Sequence, residues 1–115
     1  MLTVENLREF GANTEEGLGR CMNNEAMYLR LVGMVVNDKN YDRLSAALKA
    51  GSLKEAFEAA HGLKGVLGNL ALTPIYAPVS ELTELLRHPS GNEDFGPLYE
   101  EVMKQKEILQ KLCEG

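Results

Sequence analysis

The chain is most informative at residues 60–70, where it reads AHGLKGVLGNL. Apolar residues recur there at steps of three and four, the spacing that places side chains on one face of a helix. The same spacing begins earlier, and the complete apolar stripe consists of Leu53, Ala56, Ala60, Leu63, Leu67 and Leu70. This pattern predicts a helix that packs its stripe into the core of a helical bundle.

Three glycines, Gly62, Gly65 and Gly68, interrupt this helix. Each interior glycine costs roughly 1 kcal/mol relative to alanine, so the loss of their side chains must be compensated elsewhere. At about 100° per residue, His61 projects away from the apolar stripe, and Gly65 and Gly68 flank its direction. We therefore expect an exposed histidine with open space beside it, whereas Gly62 points elsewhere and stays unexplained.

The rest of the chain also predicts helices, because apolar residues recur at helical spacing and no stretch alternates with period two. Helices are expected over residues 4–10, about 14–22, about 25–37, 41–50, 53–70, 74–88 and 95–112. Short connections between amphipathic helices favour antiparallel neighbours. The predicted fold class is therefore all-α, an antiparallel up-and-down four-helix bundle with additional short N-terminal helices, in a single domain spanning residues 1–115.

Local patterns add details to this prediction. The third helix carries an expected inner face, and two later helices carry expected capping side chains. The inner face consists of Met27, Leu31, Met34 and Val35. Ser52 has Glu55 three residues later, which is the capping-box spacing, and Thr73 precedes a proline suited to the first helical turn.

Composition restricts the function. Apolar residues make up 44% and charged residues 25% of the chain, the balance of a soluble globular domain, and the net charge is −5. Nucleic acid and anionic membranes require clustered Lys and Arg, so neither is an expected partner. No apolar run approaches the ~20 residues of a membrane span and the N-terminus does not resemble a secretory signal, so a cytoplasmic location is expected.

The cysteines and histidines predict no metal site. Cys21 and Cys113 lie far apart with no CxxC spacing, and they are interpreted as reduced, packed thiols. The second histidine, His88, lies at a predicted helix end, where it has no other ligands nearby. No cofactor is expected either, because the chain has no phosphate-binding loop, and the same absence argues against a complete ATP-dependent kinase.

The residues around His61 suit phosphoryl transfer. A neutral imidazole offers a lone pair and is a competent nucleophile. Lys64, one turn further on, would offer a compact positive charge to a dianionic group on the ring. Gly65 and Gly68 would leave the approach open for a second protein, and in-line transfer requires such close contact.

The motif formed by Ala60-His61-x-Leu63-Lys64-Gly65-x-x-Gly68-Asn69-Leu70 resembles the signature of histidine-containing phosphotransfer (HPt) domains. The resemblance implies a four-helix bundle whose exposed histidine exchanges a phosphoryl group with receiver aspartates or takes it from a kinase. By position, His61 is then the phosphoacceptor, Lys64 the nearby cation, and Gly65 and Gly68 the docking surface. The implied partners are a response-regulator receiver domain and a sensor histidine kinase, with a monomer expected. The chain has Ala71 where the family often has glycine.

Two neighbours of His61 have alternative interpretations. Phe57 is either core packing or part of the docking surface, and Glu58 is either a solvated residue, a docking residue or the acceptor that fixes the tautomer of His61. Two other functions also remain open. One is a non-transferring helical module that binds a receiver or kinase. The other is a structural helical domain or a small-ligand bundle without a role in phosphorelay, which a buried His61 would favour.

Overall fold

The computed structural model describes all 115 residues and contains seven α-helices and no strand. The helices are α1 (Val4–Phe10), α2 (Thr14–Arg20), α3 (Glu25–Val35), α4 (Asn40–Ala50), α5 (Leu53–Asn69), α6 (Thr73–Arg87) and α7 (Gly96–Glu114). This confirms the all-α prediction. No helix is both long enough and apolar enough to cross a membrane.

The helices α4 to α7 pack in chain order, with α5 between α4 and α6 and with α7 against α6. Only Gly51 and Ser52 join α4 to α5, and Gly51 adopts the left-handed conformation, at φ 74°, that ends a helix sharply. Only residues 70–72 join α5 to α6. Connections this short favour antiparallel neighbours. The helix that carries His61, α5, packs between α4 and α6.

The predicted stripe of α5 forms the centre of the core. Ala56, Ala60, Leu63 and Leu67 are completely buried, Leu70 is nearly so, and Leu53 is half-buried. The α6 stripe of Ile75, Val79, Leu82 and Leu86 faces it and is buried as well. The three-and-four spacing of the sequence therefore identified the inner face of α5 correctly, and the buried residues of α6 follow the same spacing.

The predicted apolar face of α3 is only partly correct, because Leu31 and Val35 pack against the core but Met27 and Met34 do not. Met27 and Met34 are 46% and 60% exposed, whereas Tyr28, Val32 and Val36 are buried. Helix α3 is apolar on most of its circumference, so its periodicity did not distinguish between neighbouring stripes. Packing selected the stripe that contains Tyr28, because its buried hydroxyl can donate a hydrogen bond to the backbone oxygen of Leu70, at 2.9 Å.

Three details of the helix ends also differ from the prediction. Ser52 precedes α5 but makes no capping hydrogen bond with its side chain. Thr73 lies inside α6, because the carbonyl of Leu72 already accepts the amide of Tyr76, at 2.8 Å. Helix α2 ends at Arg20 rather than Met22, because Met22 and Asn23 both adopt φ 58° and turn the chain into α3.

Helices α2 and α3 are bonded to the turn that follows α5. The amide of Asn13 donates to the carbonyl of Ala71 at 2.9 Å, and the Tyr28 hydroxyl donates to Leu70 as described above. Burial, followed by the nearby Cys21 thiol, raises the pKa of Tyr28 to about 12, so this hydroxyl keeps the proton that it donates. These bonds place α2 beside the end of α5.

Candidate functional site

His61 lies on the exposed side of α5, directly after the buried Ala59 and Ala60. It borders an open depression of about 530 Å³ between α5, α2 and the start of α6. The depression is lined by Glu16, Arg20, His61, Lys64, Gly65, Gly68, Asn69, Ala71, Thr73 and Tyr76. The predicted histidine, cation and glycines therefore share one accessible surface.

An aromatic contact orients the imidazole ring. The rings of His61 and Phe57 are stacked, with centroids 5.6 Å apart and planes inclined by 13°. The guanidinium of Arg87 also lies over the Phe57 ring, with its Cζ 5.1 Å from the ring centroid. Stacking of this kind favours one ring orientation. Phe57 is half-buried and supports His61 from the preceding turn of α5.

Lys64 is held by a residue from the neighbouring helix. Its Nζ lies 3.6 Å from Oε1 of Glu84, and Oε2 of the same carboxylate lies 3.3 Å from Nε of Arg87. The Lys64 side chain is 27% exposed and the Glu84 side chain 55%. One carboxylate on α6 thus joins two cations close to the predicted phosphoacceptor.

The three glycines of α5 lack side chains for different reasons. A Cβ at Gly65 would meet no heavy atom within 4 Å, so this position is open to solvent. A Cβ at Gly68 would lie 3.0 Å from Cε1 of Tyr76, and one at Gly62 would lie 2.7 Å from Nδ2 of Asn40. Gly65 therefore leaves space for a partner, while Gly68 makes room for an α6 ring and Gly62 for an α4 side chain.

Glu58 and His61 border different depressions. Glu58 is exposed and borders the depression between α5 and α4, which Arg43 also lines. None of its side-chain atoms makes a hydrogen bond with the imidazole, so nothing in this arrangement supports a role in setting the tautomer. Its predicted part in partner docking stays a prediction.

Sequence reasoning missed Arg20, which α2 brings into the depression. Its Nη2 lies 2.6 Å from Oε1 of Glu16, and its Nη1 donates to the carbonyl of Gly68 at 3.2 Å and to Oδ1 of Asn69 at 3.4 Å. The spacing of four residues between Glu16 and Arg20 could have indicated the ion pair. It could not have indicated its place beside α5, which depends on how α2 packs.

Ala71 has an unusual backbone conformation at the edge of the depression. Its φ is 55°, in the left-handed region, where a Cβ is unfavourable and glycine fits best. It is one of the residues that line the depression, and it is otherwise buried. A glycine at this position would therefore adopt the observed conformation at a lower cost in free energy.

The remaining candidate groups lie outside this surface. His88 is exposed at the C-terminal end of α6 and does not line the depression. Cys21 and Cys113 are both free. No group of three or more His, Cys, Asp or Glu side chains is arranged to hold a metal ion.

Comparison with known proteins gives one match. The family model described as the Hpt domain matches residues 37–114, more than half of the chain. Searches of curated proteins and of solved structures found no match. Hpt domains are phosphotransfer carriers without kinase activity, and they interact with receiver domains and kinases in phosphorelays. The chain belongs to the Hpt domain family, which takes part in histidine phosphotransfer in two-component systems.

Proposed function

We propose that His61 is the phosphoacceptor of this protein and carries a phosphoryl group between a kinase or receiver aspartate and another receiver aspartate. The observation that carries the proposal is the exposed imidazole of His61 at the edge of an open depression, with Lys64 and Gly65 beside it. His88, the other histidine, lies outside this depression. A docking protein can therefore reach His61 through a surface that already contains a cation.

The chemistry requires only one nucleophilic nitrogen from this chain. The lone pair on Nε2 of His61 forms a bond to phosphorus, while the bond from phosphorus to the aspartyl oxygen of the donor breaks. The electron pair of that bond leaves with the carboxylate, and the imidazole ring takes up the balancing positive charge. Delivery to the next receiver is the reverse reaction, with a carboxylate oxygen as the nucleophile.

The surroundings of His61 contribute positioning and charge. The stack on Phe57 holds the ring plane, which helps to align the nitrogen with the scissile bond. Lys64 supplies positive charge for the dianionic phosphoryl group. The open position at Gly65 admits the surface of the partner, which brings the acceptor aspartate. The partners proposed here are a response-regulator receiver domain and a sensor histidine kinase.

The test is phosphorylation of the purified protein by a panel of phosphorylated receiver domains and active sensor kinases. We expect an adduct that is labile in acid and stable in alkali, and we expect the His61→Gln variant to lose it. His88→Gln is the matched control, because it removes the other exposed histidine, and it should label like the unaltered protein. Equal labelling of the His61→Gln variant would refute the proposal.

The same panel tests the alternative of a non-transferring binding module. That function predicts stable binding to a receiver or kinase, no phosphoryl transfer in either direction, and binding that survives His61→Gln. Transfer that depends on His61 excludes it.

A further inference from the structure

Lys64 and Arg87 share Glu84 in an uneven way. The Lys64 contact is long for an ion pair, 3.6 Å from Nζ to Oε1, and no other ion pair or side-chain hydrogen bond holds this ammonium group. Arg87 binds the other oxygen, Oε2, and its guanidinium also rests on the ring of Phe57. Arg87 is therefore fixed by two contacts and Lys64 by one.

We propose that Glu84 is a positioning residue that holds Lys64 while His61 is unphosphorylated and releases it to the phosphoryl group once His61 is phosphorylated. This inference rests on the proposed function, since it assigns a control on the same site. Glu84 would then compete with the phosphoryl group for one cation and so limit the stability of phosphorylated His61.

The charges favour the exchange. A phosphoryl group on nitrogen carries about two negative charges and a carboxylate carries one, so an ammonium group gains by moving to the phosphoryl group. Lysine is suited to this movement, because its charge is compact and its stem is flexible. Lys64 and His61 are three residues apart on α5, which places their side chains on neighbouring positions of the helix surface.

Glu84 also loses little when Lys64 leaves. Its Oε2 keeps the contact with Arg87, and its side chain is 55% exposed, so water can solvate the vacated Oε1. A carboxylate with a single partner would be left uncompensated by the same movement. Because Glu84 also pairs with Arg87, the release of Lys64 costs little free energy.

The consequence is a phosphohistidine of moderate stability. A cation that bound only the phosphoryl group would favour retention on His61. Competition from Glu84 reduces that preference and keeps transfer to the next acceptor thermodynamically accessible. The expected size is modest, because exposed ion pairs contribute little, and we expect a roughly two- to five-fold effect on the phosphorylation equilibrium.

The experiment measures that equilibrium without a partner protein. The protein is mixed with phosphoimidazole and imidazole in known ratios, so that the phosphoryl group moves to His61 as free imidazole is released, and ³¹P NMR gives the phosphorylated fraction. The variants are Glu84→Gln, Lys64→Ala and the double substitution. Glu81→Gln is the matched control. Glu81 is an exposed carboxylate on the same helix, and it pairs with no cation.

We expect Glu84→Gln to raise the exchange constant roughly two- to five-fold and Glu81→Gln to leave it unchanged. Lys64→Ala should lower the constant, and Glu84→Gln should then have no further effect. Equal constants for Glu84→Gln and Glu81→Gln, or the same increase in the absence of Lys64, would overturn the inference. Failure of the unaltered protein to take up phosphate from either phosphoimidazole or the partner panel would instead overturn the proposed function.

Discussion

The two faces of α5 are organised differently. On the buried face, Ala56, Ala60 and Leu63 have no exposed surface and contribute only volume to the core. On the open face, His61 stacks on Phe57 and Lys64 pairs with a carboxylate of α6. The buried face is defined by a repeating pattern of apolar residues, whereas the open face is defined by individual atoms and their partners. Stability should therefore depend on the first face and phosphoryl transfer on the second.

The largest expected effect is on the free energy of unfolding, and it should differ between substitutions at two adjacent residues, one on each face. Leu63→Ala should lower the free energy of unfolding by about 2–5 kcal/mol, because it removes a completely buried side chain and leaves a cavity. Lys64→Ala should change it by less than about 1 kcal/mol, because it removes only a partly exposed ion pair. Urea unfolding followed by circular dichroism measures both values. Similar losses in the two variants would contradict the division between the faces.

The second prediction fills the open face. Gly65→Leu should slow phosphoryl transfer from a receiver domain by roughly 100-fold, since a side chain there would displace the docked partner from its in-line position. Labelling by phosphoimidazole, which is small, should continue. Gly33→Leu on α3 is the control, because its Cβ would also meet no heavy atom within 4 Å and it lies outside the depression. Unimpaired receiver transfer in Gly65→Leu would show that partners approach from another side.

The smallest expected effect is a difference in the free energy of unfolding between alanine substitutions at Gly65 and Gly68, which the sequence assigns to the same surface. Gly65→Ala should raise the free energy of unfolding by up to about 1 kcal/mol, because alanine favours helix and the site is open. Gly68→Ala should gain less or lose stability, because its Cβ would lie 3.0 Å from the Tyr76 ring. Thermal unfolding of the two variants checks the difference. In a background that already carries Tyr76→Ala, Gly68→Ala should raise the free energy of unfolding, because the ring that its Cβ would meet is gone. No increase in that background would mean that the Tyr76 ring is not the cause of the cost.

The sequence predicted the fold best where apolar and polar residues are clearly separated. Helices α5 and α6 have one apolar stripe each, and both stripes are buried. Helix α3 has apolar residues on most sides, so only a tertiary contact, from Tyr28 to the Leu70 carbonyl, determines which of them turns inward. The caps at Ser52 and Thr73 were predicted from residue type and spacing, but the capping hydrogen bonds depend on a backbone geometry that type and spacing do not specify.

The candidate site shows the same limit. His61, Lys64 and Gly65 lie within two turns of one helix, so helical spacing alone predicted their common surface. Arg20 and Glu84 come from other helices, and their positions depend on packing between elements that are distant in the sequence. Gly68 was predicted as part of the docking surface, and it does border the depression, but its missing side chain is explained by the ring of Tyr76.

The packing of the three N-terminal helices, α1, α2 and α3, against the other helices has a consequence for shortened versions of this protein. The family match begins at residue 37, yet Leu7, Tyr28 and Val32 are completely buried in the same core as α5 and α6. A shortened chain that began at residue 37 would expose that part of the core and leave the Leu70 carbonyl without its donor. The segment matched by the family model therefore leaves out helices that contribute side chains to the same core. Exchange of the N-terminal helices with those of another family member would alter the stability of the core and the wall of the His61 depression together.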